Sequence, residues 1–194
     1  MSYIPEAASA FYRGFSLFLL IFSFGEGLFL NDWRGIALGT YVAAGMVFNS
    51  ILKAITSIFF GKAGARPPGA RNCGPFDARH EPDVISKSYG MPSGHSQNFS
   101  MVATLLAVAV MEKSQKSETG GDFSTVLKIG ALVILTVGAM YARVDRGCHT
   151  IAQTVVGALI GLALGLFIAK NLRNPFTASK RYKGLVLKRK KSKK

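Results

Sequence analysis

The chain has few cysteines, and its first residues do not resemble a leader segment. Each of these observations argues against one class of protein. Two cysteines in 194 residues are too few for a protein held together by several disulfides. The residues before the first apolar run lack the basic region and the small-residue cleavage site of a signal peptide. We therefore expect the first hydrophobic segment to remain in the protein.

Acidic residues are also scarce: 10 Asp and Glu stand against 24 Lys and Arg, a formal net charge of +14 at pH 7. Such a charge suits nucleic-acid binding, because Lys and Arg release counterions from phosphates. The distribution favours another interpretation, since eleven of the 24 basic residues lie between Lys170 and Lys194, after the last apolar run. Basic flanks of membrane helices set their orientation and attract anionic lipids. We predict membrane lipids as partners and no nucleic acid.

Long apolar runs, by contrast, are abundant, and hydrophobic residues make up 49% of the chain. A helix needs roughly 20 mostly apolar residues to cross about 30 Å of hydrocarbon. We predict an all-α, polytopic membrane helix bundle with five to six transmembrane helices. The predicted spans are Gly14–Leu30, Gly35–Ile58, Ser96–Met111, Val126–Tyr141 and Thr150–Ala169. Residues 1–172 are predicted to form the membrane-embedded domain and residues 173–194 a basic cytoplasmic tail.

Three short polar clusters lie at the ends of these spans: Arg66-Pro67, then Pro92-Ser93-Gly94-His95, then Arg143 and His149. Five crossings place all three clusters on one membrane face. On this topology fifteen of the 24 basic residues lie on the side of the tail and nine on the side of the clusters. Because cytoplasmic loops carry the excess of Lys and Arg, the clusters are predicted to face away from the cytoplasm.

The cluster at residues 92–95 directly precedes an apolar run, which places Ser93 near a helix N-cap. A helix N-terminus binds anions through its free N–H groups and dipole, and Gly94 lets a phosphoryl oxygen approach the backbone. His95 lies within reach of the same anion. The alternative is a capped helix that happens to contain a histidine.

Basic side chains of the first cluster and its surroundings suit phosphate binding. Arg66 can hold two phosphate oxygens through its planar fork. Lys53, near the far end of the second span, is either snorkelling to the interface or bound to an anion. Lys62 competes with Lys53 for this role.

The third cluster flanks the turn between the last two spans. A buried Arg143 guanidinium needs an anionic partner, either Asp145 or a ligand. A neutral imidazole such as that of His149 can attack phosphorus and form a covalent intermediate. The alternative is a histidine hydrogen-bonded at a helix start.

Small residues recur in the fifth span, at Gly157, Gly161 and Gly165. Glycines at four-residue spacing form a ridge that lets a neighbouring helix approach closely. His149 and Gln153 continue the same spacing above the ridge. Residues four apart lie on one helix face, so His149 is predicted to be turned toward a neighbour.

Three motifs follow one another: a Lys with Arg-Pro, then PSGH, then an Arg with five residues before a His. Together they resemble the type 2 phosphatidic acid phosphatase superfamily over roughly residues 49–157. The resemblance implies that His149 is the nucleophile and becomes phosphohistidine, while His95 protonates the leaving oxygen and later helps to activate water. The residues implied to bind the substrate phosphate are Lys53 or Lys62, Arg66, Ser93, Gly94 and Arg143. The resemblance implies no metal and no cofactor, and the sequence contains no cluster of acidic, His or Cys ligands.

The chain departs from the usual pattern of the family at two positions. Ala142 stands where Ser usually precedes the arginine, and Gln153 stands where Asp usually orients the nucleophile. Gln153 can accept the imidazole N–H but adds no charge. The distance from Lys53 to Arg66 also exceeds the usual one, which requires an insertion at about residues 59–65.

The stretches YGMPSGHSQ and YARVDRGCHTIAQ resemble the dolichyldiphosphatase branch of the family, in which a Gln at this position is familiar. This resemblance implies hydrolysis of a polyprenyl or dolichyl diphosphate to the monophosphate at the luminal face of the endoplasmic reticulum. One alternative is a phosphatase for phosphatidic acid or another lipid monophosphate. A second, of another class, is a catalytically weakened protein that binds lipid headgroups.

The two cysteines, Cys73 and Cys148, both fall on the face of the clusters. An oxidising compartment would permit a disulfide between them. Such a bond would tie the long connection after the second span to the turn that carries His149.

Overall fold

The computed structural model describes residues 6–71, 73, 88–115 and 123–177 of the chain, and within them the fold is all-helical. These described residues form five α-helices in sequence: α1 Glu6–Phe29, α2 Trp33–Phe60, α3 Gly94–Gln115, α4 Phe123–Asp145 and α5 Ile151–Asn171. A short 3-10 helix, Gly61–Gly64, continues α2. The predicted all-α fold is confirmed, and each predicted span falls on one of these helices.

Three helices of the described part are long and apolar enough to cross a membrane: α2 with its 3-10 extension, α4 and α5. The apolar part of α1, Gly14–Phe29, is shorter. The third predicted span forms α3, but its first turns carry many polar side chains. The buried polar residues of α3 are Ser96, Gln97, Asn98, Ser100 and Thr104.

These polar residues are tolerated because α3 is the central helix of the bundle and contacts all four others. Its side chains face other protein groups, so α3 need not be apolar all round. Below the polar turns, Met101, Val102 and Leu105 form the hydrophobic core with Val42 of α2 and Ile168 of α5.

The glycine ridge of α5 packs directly on the backbone of α3, as its spacing predicts. A Cβ atom added at Gly161 would lie 2.0 Å from the carbonyl oxygen of Gln97, and one at Gly157 would lie 2.4 Å from that of Ser93. Only glycine permits this approach. It holds the beginning of α5 against the beginning of α3.

The end of the described chain returns to the turn between α1 and α2. The Tyr41 hydroxyl of α2 donates to the carbonyl of Arg173 at 3.1 Å. The guanidinium of Arg173 lies 6.0 Å from the ring centre of Trp33. Residues 173–177 therefore lie at the opposite end of α2 from Lys53, and the remainder of the basic tail, 178–194, is outside the described residues.

Candidate active site

Four helix ends meet at one end of the bundle: the C-terminal ends of α2 and α4 and the N-terminal ends of α3 and α5. A cavity of about 200 Å³ lies there. Its charged and imidazole side chains are Lys53, Arg66, His95 and His149; the other lining residues are Ser16, Leu17, Met46, Asn49, Ser50, Cys73, Ser88, Gly94 and Asn98. The convergence of residues far apart in the sequence is thus a property of the fold.

His149, in the turn just before α5, is 2% exposed and is held at both ring nitrogens. Its Nδ1 lies 3.1 Å from the Gln153 side-chain oxygen, which can only accept. Its Nε2 lies 3.1 Å from a guanidinium nitrogen of Arg66, which can only donate. These contacts assign the proton to Nδ1 and leave the lone pair of Nε2 toward Arg66.

The orientation of the Gln153 amide is fixed by its surroundings. Its NH2 group donates to the carbonyls of Ala65 at 2.6 Å and Gly64 at 3.2 Å. The amide oxygen therefore faces His149, and it also accepts the backbone N–H of Thr150 in a capping box at the start of α5. Gly90 packs against this amide, since a Cβ there would lie 2.6 Å from the Gln153 nitrogen. Gln153 thus joins the imidazole to the connection that carries Arg66.

The surroundings of His149 keep its imidazole neutral. Burial lowers the pKa of His149 well below its ordinary value, and the positive charges of Arg66, Arg143 and Lys53 lower it further. The hydrogen bond with Gln153 raises the pKa by less. A neutral ring retains the lone pair that a nucleophile needs.

Arg66 spans the space between the long connection and the α4–α5 turn. Its Nε donates to the Ser88 carbonyl at 2.8 Å, and a terminal nitrogen donates to the Ser88 hydroxyl at 2.7 Å. The other terminal nitrogen, which faces His149, donates to the Cys148 carbonyl at 2.8 Å. The fork of Arg66 is therefore held in a fixed orientation beside Nε2 of His149.

The N-terminus of α3 forms another part of the wall. Gly94 and His95 begin the helix and both line the cavity, so the positive end of the helix dipole faces it. A Cβ at Gly94 would lie 2.8 Å from the Asn49 side-chain oxygen, so a larger residue there would displace the Asn49 side chain. Ser93 is fully buried, and its hydroxyl oxygen accepts from the Ser96 hydroxyl at 3.1 Å. Ser93 thus organises the helix start from behind the cavity wall.

Arg143, at the end of α4, is 3% exposed and does not line the cavity. Its guanidinium donates to the Cys73 carbonyl, and its own carbonyl accepts the N–H groups of Cys148 at 3.0 Å and His149 at 3.2 Å. Arg143 therefore supports the turn that carries His149. The predicted bond between Cys73 and Cys148 is present, with their Cα atoms 5.4 Å apart.

The two candidate lysines occupy different surroundings. Lys53 is partly buried, lines the cavity and donates to the Tyr89 carbonyl. Lys62 lies in the 3-10 helix, exposed and away from the cavity lining. The sequence does not separate the two, because their positions depend on where α2 ends. Residues 61–65 turn the chain back after α2, which accounts for the long interval between Lys53 and Arg66.

Sequence reasoning missed the role of two further polar residues of α2. Asn49, Lys53 and Thr56 lie on one face, and Thr56 donates to the Met91 carbonyl at 2.6 Å. Asn49 donates to the Gln97 side chain at 2.9 Å. This stripe anchors the segment before α3 to α2. Its sequence signal is three polar residues at positions i, i+4 and i+7 of an otherwise apolar helix.

Comparison with known proteins agrees with this geometry. The chain matches the PAP2 superfamily over residues 34–176. It is 34% identical over 83 residues to Dolichyldiphosphatase 1 of Dictyostelium discoideum, a match that covers 43% of this chain and 35% of that protein. The aligned stretch therefore spans about a third of the length of that curated relative. No solved structure matches the chain.

Proposed function

Because the chain belongs to the PAP2 superfamily, we propose that it is a membrane-embedded phosphatase that hydrolyses a polyprenyl or dolichyl diphosphate to the monophosphate. The observation that carries this proposal is the buried imidazole of His149. Its Nε2 lies 3.1 Å from a guanidinium nitrogen of Arg66, in a cavity that is also lined by Lys53 and His95. The name of the Dictyostelium relative supports the lipid diphosphate.

In the first step, Nε2 of His149 attacks the terminal phosphorus and forms a P–N bond while the bond to the bridging oxygen breaks. The leaving group is the lipid monophosphate, and His95 donates a proton to its oxygen. A phosphoryl group on Nε2 lies within reach of Arg66, and its oxygens are stabilised by that guanidinium, by Lys53 and by the N-terminus of α3. The Gln153 amide oxygen accepts a hydrogen bond from the Nδ1–H group of the phosphoimidazolium that forms, and the proton stays on Nδ1.

In the second step, water attacks the phosphohistidine and His95 accepts a proton from that water. The P–N bond breaks, inorganic phosphate leaves and neutral His149 is restored. The positive charge of Arg143 favours the negative charge that develops on the phosphoryl oxygens, and its hydrogen bonds support the turn that carries His149. The charge that develops in both steps is balanced by side chains of the protein, and the proposed reaction is metal-independent.

We further propose that residues 1–172 form the catalytic membrane domain, that the site faces the lumen of the endoplasmic reticulum, and that the basic tail, residues 173–194, is cytoplasmic. The site and residues 173–177 lie at opposite ends of the bundle, so one orientation fixes the other. The excess of Lys and Arg in the tail favours this orientation.

The proposal is tested by phosphate release from purified protein in detergent containing EDTA. A polyprenyl diphosphate is compared with phosphatidic acid as substrate. We expect the diphosphate to have the higher kcat/KM and EDTA to have no effect. His149→Ala should lose at least about a thousandfold in kcat, because the nucleophile is absent. Full activity of this variant contradicts the proposed mechanism, and preference for phosphatidic acid contradicts the proposed substrate.

The two lysines form a matched pair in the same assay. Lys53→Ala should lower kcat/KM about tenfold or more, because a cation of the cavity is removed. Lys62→Ala should change it little, because Lys62 is exposed outside the cavity. The reverse result assigns phosphate binding to Lys62.

A further inference from the structure

We infer that the Cys73–Cys148 disulfide is a positioning element of the phosphate site, which orients the Arg66 and Arg143 guanidiniums and makes activity depend on the oxidised bond. The inference rests on the proposed function for its activity readout, and its test also includes a measurement that does not need the lipid substrate.

The first observation is that each arginine donates to the backbone carbonyl of a bridged cysteine. Arg66 donates to the Cys148 carbonyl at 2.8 Å, through the same nitrogen that faces Nε2 of His149. Arg143 donates to the Cys73 carbonyl. The position of each guanidinium thus depends on one of these two carbonyls. The disulfide holds the two carbonyls in a fixed relation to each other.

The second observation is that these contacts form a closed ring. Cys148 donates its N–H to the carbonyl of Arg143 at 3.0 Å, and Arg143 returns through its side chain to Cys73. The S–S bond between Cys73 and Cys148 completes the ring. The next residue, His149, donates its N–H to the same Arg143 carbonyl. A displacement of Cys73 is therefore transmitted to the turn that presents the nucleophile.

The third observation is the position of the bond. Its two cysteines are 75 residues apart in the sequence, and both α3 and α4 lie between them. Both are buried, at 0% and 1% exposure, and they form a small cluster with Ala70. Cys73 also lines the cavity. The bond thus closes the wall between the α2–α3 connection and the α4–α5 turn at the site itself.

Reduction converts the bond to two thiols and consumes two electrons and two protons. A dithiol such as dithiothreitol supplies both and becomes a disulfide. In the reduced protein, the Cys73 carbonyl is no longer tied covalently to Cys148. A shift of about 1 Å in a positioning group can lower a rate by about a hundredfold.

The experiment compares the oxidised protein, the protein reduced by dithiothreitol and the Cys73→Ser/Cys148→Ser variant, in detergent and well below their melting temperatures. Thiol titration counts the free thiols in each sample. We expect the last two to lose at least tenfold in kcat/KM and to bind inorganic phosphate, the probe of the anion site, at least tenfold more weakly. Dithiothreitol should not change the kcat/KM or the phosphate affinity of the double variant, which has no disulfide. The variant also shows the effect of losing the bond without requiring dithiothreitol to reach a buried disulfide.

A stability control separates positioning from general support of the fold. Ile168→Val removes a methylene group from the core cluster that α5 forms with Val42 of α2 and Leu105 of α3, and lowers the melting temperature. It should leave phosphate affinity unchanged. If the double variant melts lower but keeps both kcat/KM and phosphate affinity, the bond is only structural and the inference is overturned. If the oxidised protein binds phosphate but hydrolyses no lipid phosphate, the proposed function fails, and the phosphate-affinity comparison still decides the inference.

Discussion

At the scale of single residues, Gln153 makes contacts that the Asp expected at this position from the family resemblance could not make. Its amide oxygen accepts from His149 and its NH2 group donates to the Ala65 and Gly64 carbonyls. A carboxylate has no donor for these two carbonyls. Gln153 supplies no negative charge, but it fixes the tautomer of His149 and the position of the chain next to Arg66.

We therefore predict that restoring the carboxylate lowers activity. Gln153→Glu keeps the length of the side chain but places an oxygen against two carbonyl oxygens, and Gln153→Asp is too short to reach both groups. Leaving buried polar groups unpaired costs about 1–3 kcal/mol each, so we expect roughly a tenfold or larger loss in kcat for either variant. Phosphate release measures the loss.

The control for this pair is Gln115→Glu, the same chemical change at the exposed end of α3. It should retain full activity. A Gln153→Asp variant that is faster than the wild type would show that charge, rather than the donor contacts, limits the rate, and would support the view of Gln153 as a weakened site.

The residues around this site differ in how far the sequence could identify them. His95, His149, Arg66 and Arg143 were predicted to share one membrane face, and the fold brings them to one end of the bundle. Whether Lys53 or Lys62 belongs to them depends on the exact end of α2, which apolar runs do not define. The contacts of Thr56 and Gln153 depend on the path of the α2–α3 connection, which no periodicity describes.

At the scale of elements, the contact between α3 and α5 sets the geometry of the site, because His95 lies in the first turn of α3 and His149 lies in the turn just before α5. The glycine spacing predicted a close neighbour for α5, but not which helix it would be. The end positions of the helices were also underestimated: α4 runs from Phe123 to Asp145, beyond its predicted apolar run. Polar residues at helix ends do not register in an apolar pattern.

Enlarging this contact should disturb stability and activity together. Gly161→Ala places a methyl group 2.0 Å from the Gln97 carbonyl oxygen, so α3 and α5 must separate. Overpacking of this kind costs about 1–3 kcal/mol. We expect a lower melting temperature and a lower kcat, measured on the same preparation.

Gly130 of α4 provides the matched control, because a Cβ there meets nothing within 4 Å. Gly130→Ala should leave the melting temperature and kcat near those of the wild type. Equal behaviour of the two variants would mean that the α3–α5 contact is looser than the structure describes.

At the scale of the whole molecule, the polar cavity and the start of the basic tail lie at opposite ends of the bundle axis. The cavity and its cations lie at one end, and the α1–α2 turn lies at the other with residues 173–177. The three helices that are long and apolar enough to cross a membrane fix this axis across the bilayer. The bundle can then have one of two orientations: either the cavity or residues 173–177 face the cytoplasm.

We predict that the tail is accessible from the cytoplasm and the site is not. In sealed microsomes, a membrane-impermeant maleimide should label Ser192→Cys directly and Lys62→Cys only after permeabilisation, because Lys62 is exposed on the side of the site. Wild-type protein, whose two cysteines are bonded, is the unlabelled control. Labelling of Lys62→Cys alone in sealed vesicles would reverse the proposed orientation.

The first helix, α1, precedes the part of the chain that matches the family. The family match begins at residue 34, after α1, yet Ser16 and Leu17 of α1 line the cavity. The charged and imidazole side chains of the cavity thus come from the part of the chain that matches the family, and another part of the cavity wall comes from α1. If the cavity binds a lipid diphosphate as we propose, a substitution on this face of α1 alters what the lipid meets beyond its phosphates while His149 and Arg66 keep their places, so selectivity and turnover are open to independent change.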